Sequence, residues 1–190
     1  MALCYGAFLL EIFMQWYISS VQAHPILTAI IQFAILGTLG EAVSKWLINK
    51  KITWPFNFKL TLWKMVVWSI LAVGIKYAFT GMSGFIKALI EHDMLPQAIA
   101  TSTFWSAFAK SVATNLQFGF FLVIFHRFLD NLPLKEKNWA NLDKGMLCMI
   151  WFWIPAHTIT FTLPNDFQIG LAALWSVVLG IILGFFNRKK

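Results

Sequence analysis

The chain predicts an all-α integral membrane helical bundle, with about five membrane-embedded helices and an N-terminal interfacial or packed helix. Three observations carry this. Hydrophobic residues make up 59% of the 190 positions, and mean hydropathy is +0.69. Charged residues are only 12%, about half the usual share. Ten Trp and nineteen Phe are more than a small soluble domain can hide. The length suits one helical domain over 1–190.

The elements follow in order. Residues 4–22 are apolar but contain Glu11 and Gln15, and read as the interfacial or packed helix. Residues 1–23 hold no Lys or Arg, so neither the basic n-region of a signal peptide nor an Arg-rich transit pattern is expected there. Five segments then reach the ~20 residues that a ~30 Å core requires. They cover 25–47, 61–90, 97–128, 145–163 and 167–186. Pro25 opens the first, where its missing N–H costs nothing. Pro155 should kink the fourth, and Pro164 ends it.

Loop charge tests the count. Lys50, Lys51 and Lys59 follow the first span. Glu91, His92 and Asp93 follow the second. Lys135, Lys137 and Lys144 follow the third, only Asp166 follows the fourth, and Arg188, Lys189 and Lys190 end the chain. Basic and non-basic loops alternate, as five crossings demand. This orients the N-terminus outside and the C-terminus on the cytosolic or matrix side. The net charge of +7 is therefore assigned to membrane orientation and not to nucleic acid. Cys4 and Cys148 do not make a disulfide scaffold.

Polar residues inside the spans are the candidate site. Lys76, Thr80, Ser83 and Lys87 share one face of the second span, beside a small-residue stripe holding Gly74 and Gly81. Thr103, Ser106, Lys110, Thr114 and Gln117 repeat the arrangement in the third, with Asn115 beside it. Thr38, Glu41 and Lys45 share a face of the first, near Gly37 and Gly40, and Glu41 can pair with Lys45 at i, i+4 or reach a lysine of another helix. In the fourth, Pro155 should free a carbonyl near His157 and Thr160. An ammonium at bilayer depth needs water, protein or an anion. Two readings stay open: a water-filled path suited to small anionic solutes, or polar joints that hold helices and subunits together. His157 fits either a hydrogen-bonded packing residue or a pH gate.

An enzyme is not expected. The chain has no His-Glu-x-x-His helix, Gly-x-Ser-x-Gly elbow or Walker loop, and its four His are scattered without metal-ligand spacing. Neither cofactor nor metal is expected. The expected partners are the lipid bilayer, small solutes and, through the glycine faces, a second copy of the chain.

The segment WYISSVQAHPILTAIIQFAILGTLGEAVSKWLINKK resembles the start of the Mpv-seventeen family, which includes the 22-kilodalton peroxisomal membrane protein. Trp16, Tyr17, His24, Pro25, Thr28, Gly37, Gly40 and Glu41 carry the likeness, with Glu in place of the family's Asp. Gly74, Tyr77 and Phe85 fit its second helix. Lys110 matches the lysine ahead of its Asp-Gln pair, where Asn115 and Leu116 stand here, with Gln117 beyond. WFWIPAHTITFTLP is similar to its Trp-Pro signature through Trp153, Pro155, Phe161 and Pro164, with Thr158 and Thr160 where amides are usual. The resemblance implies a divergent member and a channel for small solutes. It implies the mitochondrial inner or peroxisomal membrane in a eukaryote, and the cytoplasmic membrane in a bacterium.

Overall fold

The computed structural model describes residues 2–135 and 137–187, and every element in it is helical. The side chain of Cys4 and the tail Arg188 to Lys190 lie outside the described residues. Helix α1 covers Ala2–Ala23, α2 Pro25–Asn49, α3 Phe58–Glu91 and the short α4 Ala98–Thr101. Helix α5 covers Thr103–Asn131, α6 Leu142–Thr162 and α7 Asn165–Phe186. Helices α2, α3, α5, α6 and α7 are each long and apolar enough to cross a membrane.

Local chemistry sets the ends. His24, at φ −137°, leaves helical geometry just before Pro25. Lys50 closes α2 in the left-handed region, at φ 52°, with its N–H returned to the Trp46 carbonyl. The Asn57 side chain caps α3 by accepting from the Leu60 N–H at 2.9 Å. Ser102, extended and accepting from the Trp105 N–H, separates α4 from α5. The span expected from residue 97 therefore begins one short helix later.

Two of the spans are not continuous α-helix. Thr114–Gly119 in α5 and Met149–Trp153 in α6 are π-helical turns. Each widens the backbone by inserting a residue into the i to i−4 ladder. Pro155 sits just after the second, in the first turn of the α-helical stretch that resumes at Ile154. The Ile154 carbonyl accepts from both Ser111 and Thr158 hydroxyls, at 2.7 Å each.

Helices α2 and α7 meet at backbone distance. A Cβ on Gly40 would collide with the Ser176 carbonyl, and one on Gly180 with the Gly40 carbonyl. On Gly184 it would lie 2.9 Å from the Ser44 carbonyl. Ser176, Gly180 and Gly184, spaced by four, thus form a small-residue stripe that lets two helices touch in lipid, where packing replaces the hydrophobic effect. Gly37 leaves room for the Trp68 indole, and Gly74 for the Phe118 ring. Gly81, expected in a packing stripe, has nothing within 4 Å of where its Cβ would stand.

The buried core runs through α2, α3, α5, α6 and α7, with Phe33, Val67, Leu71, Ile75, Phe79, Phe161 and Ala173 at its centre. Outward faces are apolar: Leu62, Val66 and Ile70 on α3, Phe121, Ile124 and Phe128 on α5, and Leu174, Ile181 and Phe185 on α7 are exposed. Apolar surface of that extent belongs in lipid. Helix α1 docks by its final turns. Its Tyr17 hydroxyl donates to the Asp166 carbonyl at 3.2 Å and Gln22 donates to the Asp166 carboxylate at 3.2 Å.

Gly180→Ala should lower stability by about 1–3 kcal/mol through forced separation of α2 and α7. Gly81→Ala should be neutral or stabilising by up to about 1 kcal/mol. Thermal unfolding of the two variants in detergent micelles checks the contrast.

Candidate functional site

One charged cluster joins α2, α3 and α5. The Lys64 ammonium is paired with the Glu41 carboxylate and lies 3.2 Å from Asp130 Oδ1. Trp68 Nε1 donates to Glu41 Oε1 at 2.9 Å. His126 Nε2 stands 3.7 Å from Glu41 Oε1 and 3.6 Å from Asp130 Oδ2, just beyond hydrogen-bond length, and has no partner. The Lys64 side chain is 10% exposed, so its charge depends on those carboxylates.

The sequence places these groups simply. Lys64 and Trp68 are one turn apart on α3, and His126 and Asp130 one turn apart on α5. A further bond from Trp63 Nε1 to the Leu129 carbonyl, at 3.0 Å, sets the height of α3 against α5. Lys45, one turn from Glu41, does not pair with it. Its ammonium lies over the Phe56 ring, 4.8 Å from the centroid.

Glu41, His126 and Asp130 could each offer a ligand atom to a metal ion, all within 4.8 Å of one another. The Lys64 ammonium shares those oxygens, so an ion would have to displace it.

The cluster stands in the wall of a cleft of about 530 Å³. Helices α2 and α7 form one side, α5 and α6 the other. Ile48, Asn141 and Leu183 border its outer end, beside the loops that carry Lys50 and Lys137, and Lys45 and Arg127 add positive charge there. Trp68, Leu122, Met149, Trp153 and Ser176 border both the cleft and a smaller inner chamber of about 50 Å³. The two π-turns build that chamber. They face each other through Gly119, where a Cβ would come within 2.8 Å of Met149 Sδ.

Buried neutral polar residues stand around the chamber, but the surface they present to it is apolar. Asn115 Nδ2 donates to the Ser111 carbonyl at 2.8 Å, which fixes the amide orientation. Its second hydrogen faces His157 Nδ1 at 3.2 Å. Nδ1 must therefore accept, and the His157 proton belongs on Nε2. Thr114 Oγ1 and Ser176 Oγ have no partner. Aromatic rings close the far end: Phe79 lies 5.1 Å from His157 and 4.7 Å from Phe161, and Trp153 lies 4.9 Å from His157, centroid to centroid.

The expected site residues divide accordingly. Glu41 borders the cleft; Thr114, Asn115 and His157 border the chamber. Thr160 is fully buried at the α6–α7 contact, donating to the Ala156 carbonyl and accepting from Trp175 Nε1 at 3.1 Å. Lys76, Thr80, Ser83, Lys110 and Gln117 border neither cavity. The α3 stripe points elsewhere because Trp68, Leu71, Ala72, Ile75 and Phe79 take the core face. Thr80 and Ser83 bond back to the carbonyls four residues earlier, and Lys87 pairs at the surface with Glu91 at 3.6 Å. Sequence reasoning missed Lys64, Trp68, His126 and Asp130. Their signal was depth: at 1.5 Å per residue, Glu41 and Lys64 lie ~12 Å and ~9 Å from the helix ends that the first basic loop joins.

Lys64→Met should cost about 3–5 kcal/mol by stranding two carboxylates. The cost should shrink when Glu41→Gln is already in place. Lys76→Met should stay within about 0.5 kcal/mol. A double-mutant cycle of thermal unfolding in detergent checks all three.

Comparison with known protein families, curated proteins and solved structures finds no match to this chain.

Proposed function

We propose that this membrane bundle is a conduit for small solutes. It opens at the end bearing the Lys50 and Lys137 loops, and the Phe79, His157 and Phe161 rings close it in this conformation. The carrying observation is the line of cleft and chamber along α7. It extends from Leu183 to Ala172, a depth of ~16 Å at 1.5 Å per residue, about half of a ~30 Å core. Charged groups stand at its mouth and its inner end presents apolar surface, the arrangement of a path closed by a hydrophobic constriction. The resemblance to the Mpv-seventeen family supports the same reading, and with it an organelle membrane in a eukaryote or the cytoplasmic membrane in a bacterium.

A second reading, a structural or assembly protein, is favoured by one observation. The Glu41–Lys64–Asp130 contact ties three helices together and would serve a bundle that moves nothing.

With both native cysteines replaced, Leu179→Cys in the cleft wall should react with a membrane-impermeant maleimide added on the Lys50 side. It should not react from the Glu91 side. In proteoliposomes that reaction should cut solute flux several-fold. Folded protein that leaves vesicles solute-tight would favour the structural reading.

A further inference from the structure

The cleft and the chamber behind it form one space with two chemistries. Lys45 and Arg127 border the outer cleft, and neither pairs with a carboxylate among the described residues. The Glu41 and Asp130 carboxylates nearby are already engaged by Lys64, so cations outnumber carboxylates there. The walls of the cleft otherwise present mostly carbon, and the chamber presents apolar surface alone. Helix α6 packs on α7 through Ile154–Thr162, whereas its first turns, Leu142–Cys148, pack on α5. The cleft runs between those first turns and Leu179 and Leu183 of α7. That leaves a seam between two helices whose outer residues, Leu147 and Ile150 on one and Ile181 and Phe185 on the other, are exposed and apolar.

We infer that the cleft is a binding site for a single-chain anionic amphiphile of the fatty-acid class. Its carboxylate lies at Lys45 and Arg127, and its chain runs inward to the chamber. The site holds this ligand whether or not solutes pass, so it goes beyond the conduit reading. Size limits the occupant. A methylene takes roughly the ~30 Å³ of a water, so about 530 Å³ admits one chain of ~16 carbons and not two. A chain end asks nothing of the chamber that Phe33, Ile75 and Phe79 border, whereas a polar head there would strand its own donors and acceptors. Methylenes gain little by leaving lipid for protein, so preference among amphiphiles is set at the mouth. Lys45 and Arg127 favour an anion. The Glu41 and Asp130 carboxylates beside them weigh against a doubly charged phosphate head, and a singly charged carboxylate fits best.

The test is photolabelling of the purified protein in nanodiscs of neutral lipid. The probes are palmitate carrying a diazirine at its chain end and the methyl ester of the same molecule. Peptide mapping should place the label on cleft and chamber residues such as Leu122, Met149 and Trp153, and excess unlabelled palmitate should remove it. The acid should label about threefold or more above the ester. In the Lys45→Gln, Arg127→Gln double variant, labelling by the acid should fall about three- to tenfold, the worth of two surface ion pairs. Labelling by the ester should hold, which also reports that the variant is folded. Lys87→Gln, outside the cleft, should change neither. Equal labelling of the wild-type protein by acid and ester would overturn the inference, whatever the variants do. So would label spread over the outward faces of α3 and α7 with no maximum in the cleft, or displacement by phosphatidylglycerol at lower concentration than by palmitate. Solute flux in vesicles free of fatty acid tests the conduit separately: its absence overturns the conduit and leaves this site standing.

Discussion

Two carboxylates and one ammonium, brought together from three helices, set the arrangement of this bundle. Glu41 and Lys64 sit inside segments that are otherwise apolar, and a lone charge at such depth costs several kcal/mol. The cheapest resolution is contact. Contact between Glu41, Lys64 and Asp130 fixes the relative height of α2, α3 and α5. The Trp68 indole, one turn above Lys64, must then lie along α2, and it does so because Gly37 leaves the space. The indole N–H completes the Glu41 carboxylate. Charge, aromatic and glycine are thus one constraint.

That constraint also explains why a cleft exists. The glycine and serine stripe draws α7 onto α2, while the charged cluster holds α5 at side-chain length from α2. One side of α2 is packed backbone to backbone and the other is propped open by ionic side chains. The opening is polar because its props are polar. Deeper in, the two π-turns lie at the same level, and each turns side chains out of helical register. Asn115 and His157 meet across the gap there, and the neutral chamber replaces the charged cleft.

The fold class was legible in the sequence because the bilayer imposes long apolar helices and alternating loop charge, and both are linear signals. Part of the candidate site was legible too. Glu41, Thr114, Asn115 and His157 stood out as polar residues at bilayer depth, and all four border a cavity. What the sequence hid was rotation. The stripe from Lys76 to Lys87 has helical periodicity as good as that of the core face, and nothing in its spacing says which face turns inward. Packing decides it: Leu71, Ile75 and Phe79 bury, and the lysines follow to the other side. Lys64 was hidden for a different reason. It lies near a span end, where a lysine ordinarily snorkels to the headgroups, and only a partner on another helix holds it in. The π-turns were hidden as well, since no residue type marks them in the chain.

Polar residues buried in a membrane protein can join helices or line a path, and hydrogen-bond accounting separates the two. A joint satisfies its members. Thr160 with Trp175, Ser111 with Ile154, and Asn115 with Ser111 are joints in this sense, each with protein on both ends. Thr114 and Ser176 are not. Each could have bonded back to a carbonyl of its own helix, as Thr80, Ser83 and Thr158 do. In both, the hydroxyl is left without a protein partner and is sealed off from the accessible face of the chamber. Thr38 is also unpartnered, and nothing in the structure explains it. A bundle built only to hold together gains nothing from such groups, since an alanine or valine in either place would avoid the desolvation cost. The chamber faces them only with carbon and does not return that cost, so the two hydroxyls decide neither way.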